Sequence, residues 1–241
     1  MSNRLDRRLF LRGCGKVALA AAGMHAALGP RLALADLMED APDVLLVDGA
    51  GAPLRAATLK PHQTLVFNYP YKSTPAMLIV LGGPTRRDVL TEDGEHHSYL
   101  WPGGVGPRRN IVAYAGICAH ALSYVGREFS FLHYAAEENE FGVAGAITCC
   151  AHGSSYDPAD GGRVLKGPAE FPLATIRLRH DRNTDTLTAT GVIGTELYRQ
   201  FFDAYRKELR DEYGRRGYRE LVAETTPAVP IEEYSAEVID C

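Results

Sequence analysis

Apolar and β-branched residues recur along the chain in short runs: DVLLVD (43–48), TLVFNY (64–69), AMLIVLG (76–82), NIVAYAGI (110–117), EFSFLHY (128–134), VAGAIT (143–148), LATIRLR (173–179) and TLTATGVI (186–193). Each has strand length and is rich in the side chains that suit a pleated, half-buried surface. The clusters between them, such as LGGPTRRD and WPGGVGPRRN, read as turns and loops. No long helical pattern separates the strands. The expected fold class is therefore all-β, an antiparallel sandwich or barrel in preference to a parallel sheet.

The period changes after Thr195. Leu197, Phe201, Tyr205, Leu209 and Tyr213 recur every four residues and predict one amphipathic helix, with Thr195 as its N-cap and Glu196 near the positive end of its dipole. Gly214 and Gly217 are expected to break it. The last residues, TTPAVPIEEYSAEVIDC, hold two prolines and four acids and read as an extended acidic arm.

The first 35 residues have another character. Arg4, Arg7, Arg8, Arg12 and Lys16 precede a mildly apolar run from Val17 to Leu28, and Ala33-Leu34-Ala35 offers a small-residue cleavage site. Within this segment DRRLFLR resembles a twin-arginine signal, which would carry the folded protein to the periplasm. The run covers 12 residues, rich in Ala, where a membrane span takes about 20 strongly apolar ones. Cleavage and release are expected, with membrane association only if the signal is retained. The predicted organisation is a signal over 1–35, a β-domain over 36–194, and a helix with its arm over 195–241.

Composition sets bounds on partners. The chain has 241 residues, 46% of them hydrophobic and 23% charged, enough for one sizeable core or two small ones. Its formal charge is −4, and without residues 1–35 there remain 20 basic against 29 acidic residues, a charge of −9. That disfavours nucleic acid as a partner and suits a basic protein surface. Five cysteines are few for a disulfide scaffold. Cys14 lies in the signal, which leaves Cys118, Cys149, Cys150 and Cys241.

Two strand ends carry the chemistry. One runs into Cys118-Ala119-His120 and the other into Cys149-Cys150-Ala151-His152, giving C-x-H, 28 residues, then C-x-x-H. Beyond the second pair lie His152-Gly153-Ser154, Tyr156-Asp157, Gly161 or Gly162, Gly167-Pro168-Ala169 and Pro172-Leu173. In this order the motifs resemble the Rieske iron–sulfur family over roughly residues 110 to 175.

The resemblance implies one [2Fe–2S] cluster, with Cys118 and Cys149 on the buried iron and His120 and His152 on the outer iron. It also implies that Ser154 and Tyr156 donate hydrogen bonds to a bridging sulfide and a cysteine sulfur. Two ferric ions, two sulfides and two thiolates sum to zero charge, so reduction by one electron reaches only −1. Such centres accept electrons readily, at potentials on the order of −150 to +300 mV, and the two hydroxyls place this site in the upper part of that range.

The sequence also departs from the family. Many quinol-oxidising members tie the two loops together with a disulfide, and Ser123 and Ala151 stand at those positions here. Cys150 is one residue away from that partner position and reads as a free thiol, and Cys241 as an idle terminal thiol. The interval from His120 to Cys149 is long, with its extra length expected in REFSFLHYAAEENEFG. His96 and His97 read as a solvated loop, His133 as structural, and Gly103, Gly104 and Gly106 have too little context for a phosphate loop.

The expected function is one-electron transfer without a substrate-converting site of its own. One expected role is the small subunit or docking partner of a periplasmic oxidoreductase, arranged as in arsenite oxidase. Its redox partner would then be a larger oxidoreductase subunit or a cytochrome c-like acceptor. A second is the iron–sulfur subunit of a quinol:cytochrome c oxidoreductase, with quinol as the electron source. A third, of another class, is a structural zinc module, because Cys2His2 is also a zinc ligand set.

Overall fold

Strands form at each of the eight predicted runs, with bounds set by where hydrogen-bonded partners begin and end. The computed structural model describes residues 38, 39, 41–141 and 143–241; the expected export signal lies outside them. The first strands are β1 (Met38–Glu39), β2 (Val44–Val47), β3 (Thr64–Asn68), β4 (Pro75–Val80), β5 (Val89–Glu92), β6 (Ser98–Trp101) and β7 (Ile111–Ala115). They continue with β8 (Phe129–Ser130), β9 (Leu132–Ala135), β10 (Ala146–Cys149), β11 (Ser154–Asp157), β12 (Arg163–Lys166), β13 (Thr175–Asp181) and β14 (Thr186–Ile193). Helices α1 (Glu196–Ala204) and α2 (Arg206–Tyr213) follow, then β15 (Thr225–Pro227), β16 (Val229–Pro230), α3 (Ile231–Tyr234) and β17 (Glu237–Val238).

The main sheet runs β15-β2-β14-β13-β7-β4-β3-β16, with β1 paired to β14, and every pair except β15 with β2 is antiparallel. Its two edges are joined by the C-terminal arm. β15 pairs with β2 at one edge and β16 with β3 at the other, with Ala228 alone between them. The Ala228 N–H donates to the Val47 carbonyl at 2.8 Å and the Thr226 hydroxyl to the Asn68 carbonyl at 3.1 Å, so the sheet is nearly closed. A barrel that protects its edges in this way presents few unpaired strand groups.

The central strands are buried on both faces, and their alternation sorts side chains into two cores. Ala76, Leu78 and Val80 of β4, with Ile111, Ala113 and Ala115 of β7, face the first core. Met77, Ile79, Val112 and Tyr114 of the same strands face the second. Helix α1 covers the first core with Tyr198, Phe201 and Phe202. A smaller sheet, β12-β11-β10-β9, stands over the second core and carries Cys149 and Tyr156 into it.

Three expectations need correction. The predicted helix is two helices, broken at Tyr205 (φ −106°), and Thr195 has helical dihedrals with no side-chain cap. The apolar stripe survives the break because Leu197, Phe201 and Leu209 still reach the core. The run at 128–134 is two strands in different sheets, since β8 pairs with β17 while β9 pairs with β10. The arm is woven into the fold: residues 37–241 form one compact unit. Among the described residues no helix is long and apolar enough to cross a membrane.

Candidate metal centre

Two loops leave the second core side by side. The first follows β7 and turns back tightly: the Cys118 N–H donates to the Ser123 carbonyl at 2.8 Å and the Leu122 N–H to the Cys118 carbonyl at 3.1 Å. The second is the β10–β11 hairpin, in which Cys149 pairs with Ser154 and the Gly153 N–H donates to the Cys149 carbonyl at 2.9 Å. Gly153 needs its positive φ of 75° to make that turn, and a Cβ there would meet the Phe141 ring at 2.9 Å.

The turns place like residues alike. Cys118 and Cys149 are both 0% exposed, at the strand ends, whereas His120 and His152 are exposed at the loop tips. The two imidazoles meet edge to face with centroids 5.0 Å apart. Each sulfur accepts from the backbone N–H groups two and three residues further on: His120 and Ala121 for Cys118, Ala151 and His152 for Cys149. All four residues predicted as ligands are thus brought together, as two buried thiols beneath two exposed imidazoles.

Electrostatics separates the two thiols. Hydrogen bonds from Cys149, Tyr156 and the two backbone N–H groups pull the Cys118 thiol down to about 6, against the opposing effect of burial. Cys149, beside that thiolate and itself buried, is pushed well up. The two thiols therefore share one proton between them, and a cation placed there would let both ionise.

Ser154 and Tyr156, the two residues expected to tune the site, lie on β11 beside the thiols. The Tyr156 hydroxyl lies 3.2 Å from Cys118 Sγ, and burial together with the Cys118 charge raises its pKa so far that it keeps its proton and can donate. Ser154 accepts from the Ala169 N–H at 3.2 Å, which leaves its own O–H proton to donate towards Tyr156. That contact comes from the Gly167-Pro168-Ala169 loop, which packs so closely that a Cβ on Gly167 would fall 2.6 Å from Ser154 Cα. The Ala169 N–H escapes notice in the sequence, because a backbone donor leaves no residue signature.

Residues 83–177 match the Rieske [2Fe–2S] domain family. This stretch is a Rieske [2Fe–2S] domain. It binds one [2Fe–2S] cluster and transfers electrons. Among solved structures, the chain is similar to the soluble domain of the Rieske protein II (soxF) from Sulfolobus acidocaldarius. The identity is 22% and the TM-score 0.43, over 63% of this chain and 78% of that one. It is also similar to the ferredoxin of carbazole 1,9a-dioxygenase from Nocardioides aromaticivorans IC177, at 15% identity and a TM-score of 0.34, over 57% and 92%. The residues present fit the cluster of a Rieske domain: two soft sulfurs with preset donors and two exposed imidazoles make the ligand set of two unequal irons.

Cys150 and Cys241 correct the expectation that both are free. They form a disulfide with Cα atoms 5.7 Å apart across 91 residues. Closing a loop of that length restricts the unfolded chain and stabilises the fold by roughly 4–5 kcal/mol on the chain-entropy view. Neither position announces the pairing in sequence, since the arm must first be placed beside the second loop. Near the bond, His133 on β9 lies 3.9 Å from Cys150 Sγ, and burial lowers its basicity, in keeping with a structural residue.

A cavity of about 370 Å³ opens beside His120. Tyr99 and Phe171 give it apolar walls, and Asp93, Glu170 and Glu196 give it negative charge. His96 and His97 are exposed beside Glu92 and Asp93, and His96 meets the Phe171 ring edge to face at 5.4 Å.

Proposed function

We propose that Cys118 and Cys149 bind the inner iron of the cluster and His120 and His152 the outer iron. We further propose that the protein is an exported one-electron carrier, the small subunit or docking partner of a periplasmic oxidoreductase. The observation that carries the ligand assignment is the division of exposure, with both sulfurs sealed in the core and both imidazoles at the surface, 5.0 Å apart. A single zinc ion would draw all four side chains to one point at about 2.0–2.3 Å. A two-by-two division of exposure suits two unequal irons.

Bound there, the cluster takes up and gives back one electron at a time. The protein supplies the setting. Cys118 and Cys149 would hold the inner iron, and the N–H and O–H donors aimed at their sulfurs are already fixed, so little would have to reorganise as the charge there changed. The core around the cysteines excludes water, which strengthens those bonds. His120 and His152, exposed at the loop tips, provide the short route to a partner.

The remaining features favour export and a basic partner. A disulfide suits an oxidising compartment, and the charge of −9 outside residues 1–35 would steer a basic redox protein towards the exposed histidines. The test is purification of the native protein with its bound partners, followed by electron paramagnetic resonance of the reduced form and metal analysis. A [2Fe–2S] signal, an N-terminus following Ala35 and a larger co-purifying subunit are expected. Stoichiometric zinc without that signal would overturn the ligand assignment. A mature N-terminus upstream of Val17 in the membrane fraction would overturn the released carrier in favour of a quinol-oxidising role.

A further inference from the structure

The two cluster loops meet at Cys118 and Cys149 and at His120 and His152, but Ser123 and Ala151 cannot form a disulfide between them. The C-terminal segment touches both. Tyr124, in the first loop, packs edge-on against Phe201 of α1 and against Tyr205, with centroids 5.1 and 4.9 Å away. Further on, the segment follows the exit of the first loop. The Ser235 hydroxyl donates to the Gly126 carbonyl at 2.7 Å, the Ala236 N–H to Arg127 at 2.8 Å, the Glu237 N–H to Glu128 at 3.0 Å and the Ile239 N–H to Ser130 at 2.9 Å. The guanidinium of Arg127 also covers the Tyr234 ring at 3.9 Å.

The same segment ends on the second loop. Cys241 is bonded to Cys150, next in sequence to Cys149, and its carbonyl accepts from the Glu140 N–H at 3.0 Å. We propose that residues 195–241 are a strap that positions the two cluster loops against each other, with Tyr124 as its hold on the first and the Cys150–Cys241 bond as its hold on the second. This rests on the ligand reading given above. The strap does from outside what no disulfide between the loops does. Cys150 and Cys241 are positioning residues, acting on the cluster through Cys149 and His152.

The test uses the full chain and the variant carrying both Cys150→Ser and Cys241→Ser, which removes the bond without leaving a free thiol beside Cys149. Hydrogen exchange of residues 149–153 is measured on both proteins as purified, and loss of visible absorbance is followed in an iron chelator. We expect faster exchange at 149–153 and roughly tenfold or faster bleaching, the usual scale for loss of an outer support of a metal site. If the double variant does not fold, the folded wild-type protein is treated with a water-soluble phosphine. The phosphine attacks one sulfur and breaks the S–S bond, and water then supplies the oxygen of the phosphine oxide and the two protons of the two thiols; the opening is confirmed by alkylation and mass. Unchanged exchange at 149–153 after confirmed opening overturns the strap. Absence of a [2Fe–2S] signal in the wild type overturns the ligand reading instead, and the exchange comparison still decides the strap in that protein.

Discussion

The hydroxyl of Tyr156 lies 3.2 Å from the sulfur of Cys118, and both side chains are buried. A donor in that position favours the more negative state of the sulfur. Tyr156→Phe keeps the ring and its packing and removes only the proton. Its expected effect is a cluster retained at full occupancy with a midpoint potential lower by roughly 40–90 mV, the difference of about 1–2 kcal/mol that one hydrogen bond to a charged group can make between the two redox states. Protein-film voltammetry reads it, and an unchanged potential would refute the bond.

Ser154→Ala should act twice. The hydroxyl accepts from the buried Ala169 N–H at 3.2 Å and donates its own proton towards Tyr156. Loss of the donor lowers the potential, as for Tyr156. Loss of the acceptor leaves a buried N–H unpaired, at about 1–3 kcal/mol. The variant is therefore expected to show a lower denaturant midpoint as well as a lower potential, whereas Tyr156→Phe shifts mainly the potential. Equal stability losses in the two variants would contradict this division.

Removing the cluster should leave one acidic thiol. In the iron-free protein Cys118 is held down to about 6 by its hydrogen-bond donors, and Cys149 is pushed up by the neighbouring thiolate. Donors stabilise the thiolate, so it forms as the pH rises through about 6 and is lost below it. Absorbance near 240 nm should therefore report one thiolate per chain at neutral pH. In Tyr156→Phe one donor is gone, so the midpoint should move upward. A titration with no thiolate below the ordinary cysteine range would contradict the arrangement.

Much of this was legible in the sequence where side-chain pattern and backbone need coincide. β14 spans the residues expected of it because Thr186, Thr188 and Thr190 alternate with the buried Leu187 and Ala189. β11 and β12 were not foreseen. Their sequences, SSYD and RVLK, are too polar to signal strands, and β11 is nonetheless buried, with Tyr156 in the second core. The hairpin of β5 and β6 was passed over between glycine-rich loops, although Tyr99 and Trp101 alternate with the exposed Leu100. The pairing of Cys150 with Cys241 depends on where β17 docks, and no local pattern encodes a contact across 91 residues.

Glycine substitutions separate backbone strain from collision. Gly51 and Gly167 have similar dihedrals, φ +84° and +94°, but a Cβ on Gly51 meets nothing within 4 Å while one on Gly167 falls 2.6 Å from Ser154 Cα and also strikes the Gly153 carbonyl oxygen. Gly51→Ala should therefore cost only the left-handed strain, about 1 kcal/mol, and leave the cluster intact. In Gly167→Ala the obstacle is backbone of the cluster loop, which cannot swing aside as a side chain can, so the Gly167-Pro168-Ala169 loop must move away from Ser154. The expected loss is roughly 3 kcal/mol or more in denaturant unfolding, accompanied by a lower potential, because the Ala169 N–H is carried off the Ser154 hydroxyl with it. If the two variants unfold alike and hold the same potential, the close approach of that loop does not shape the site.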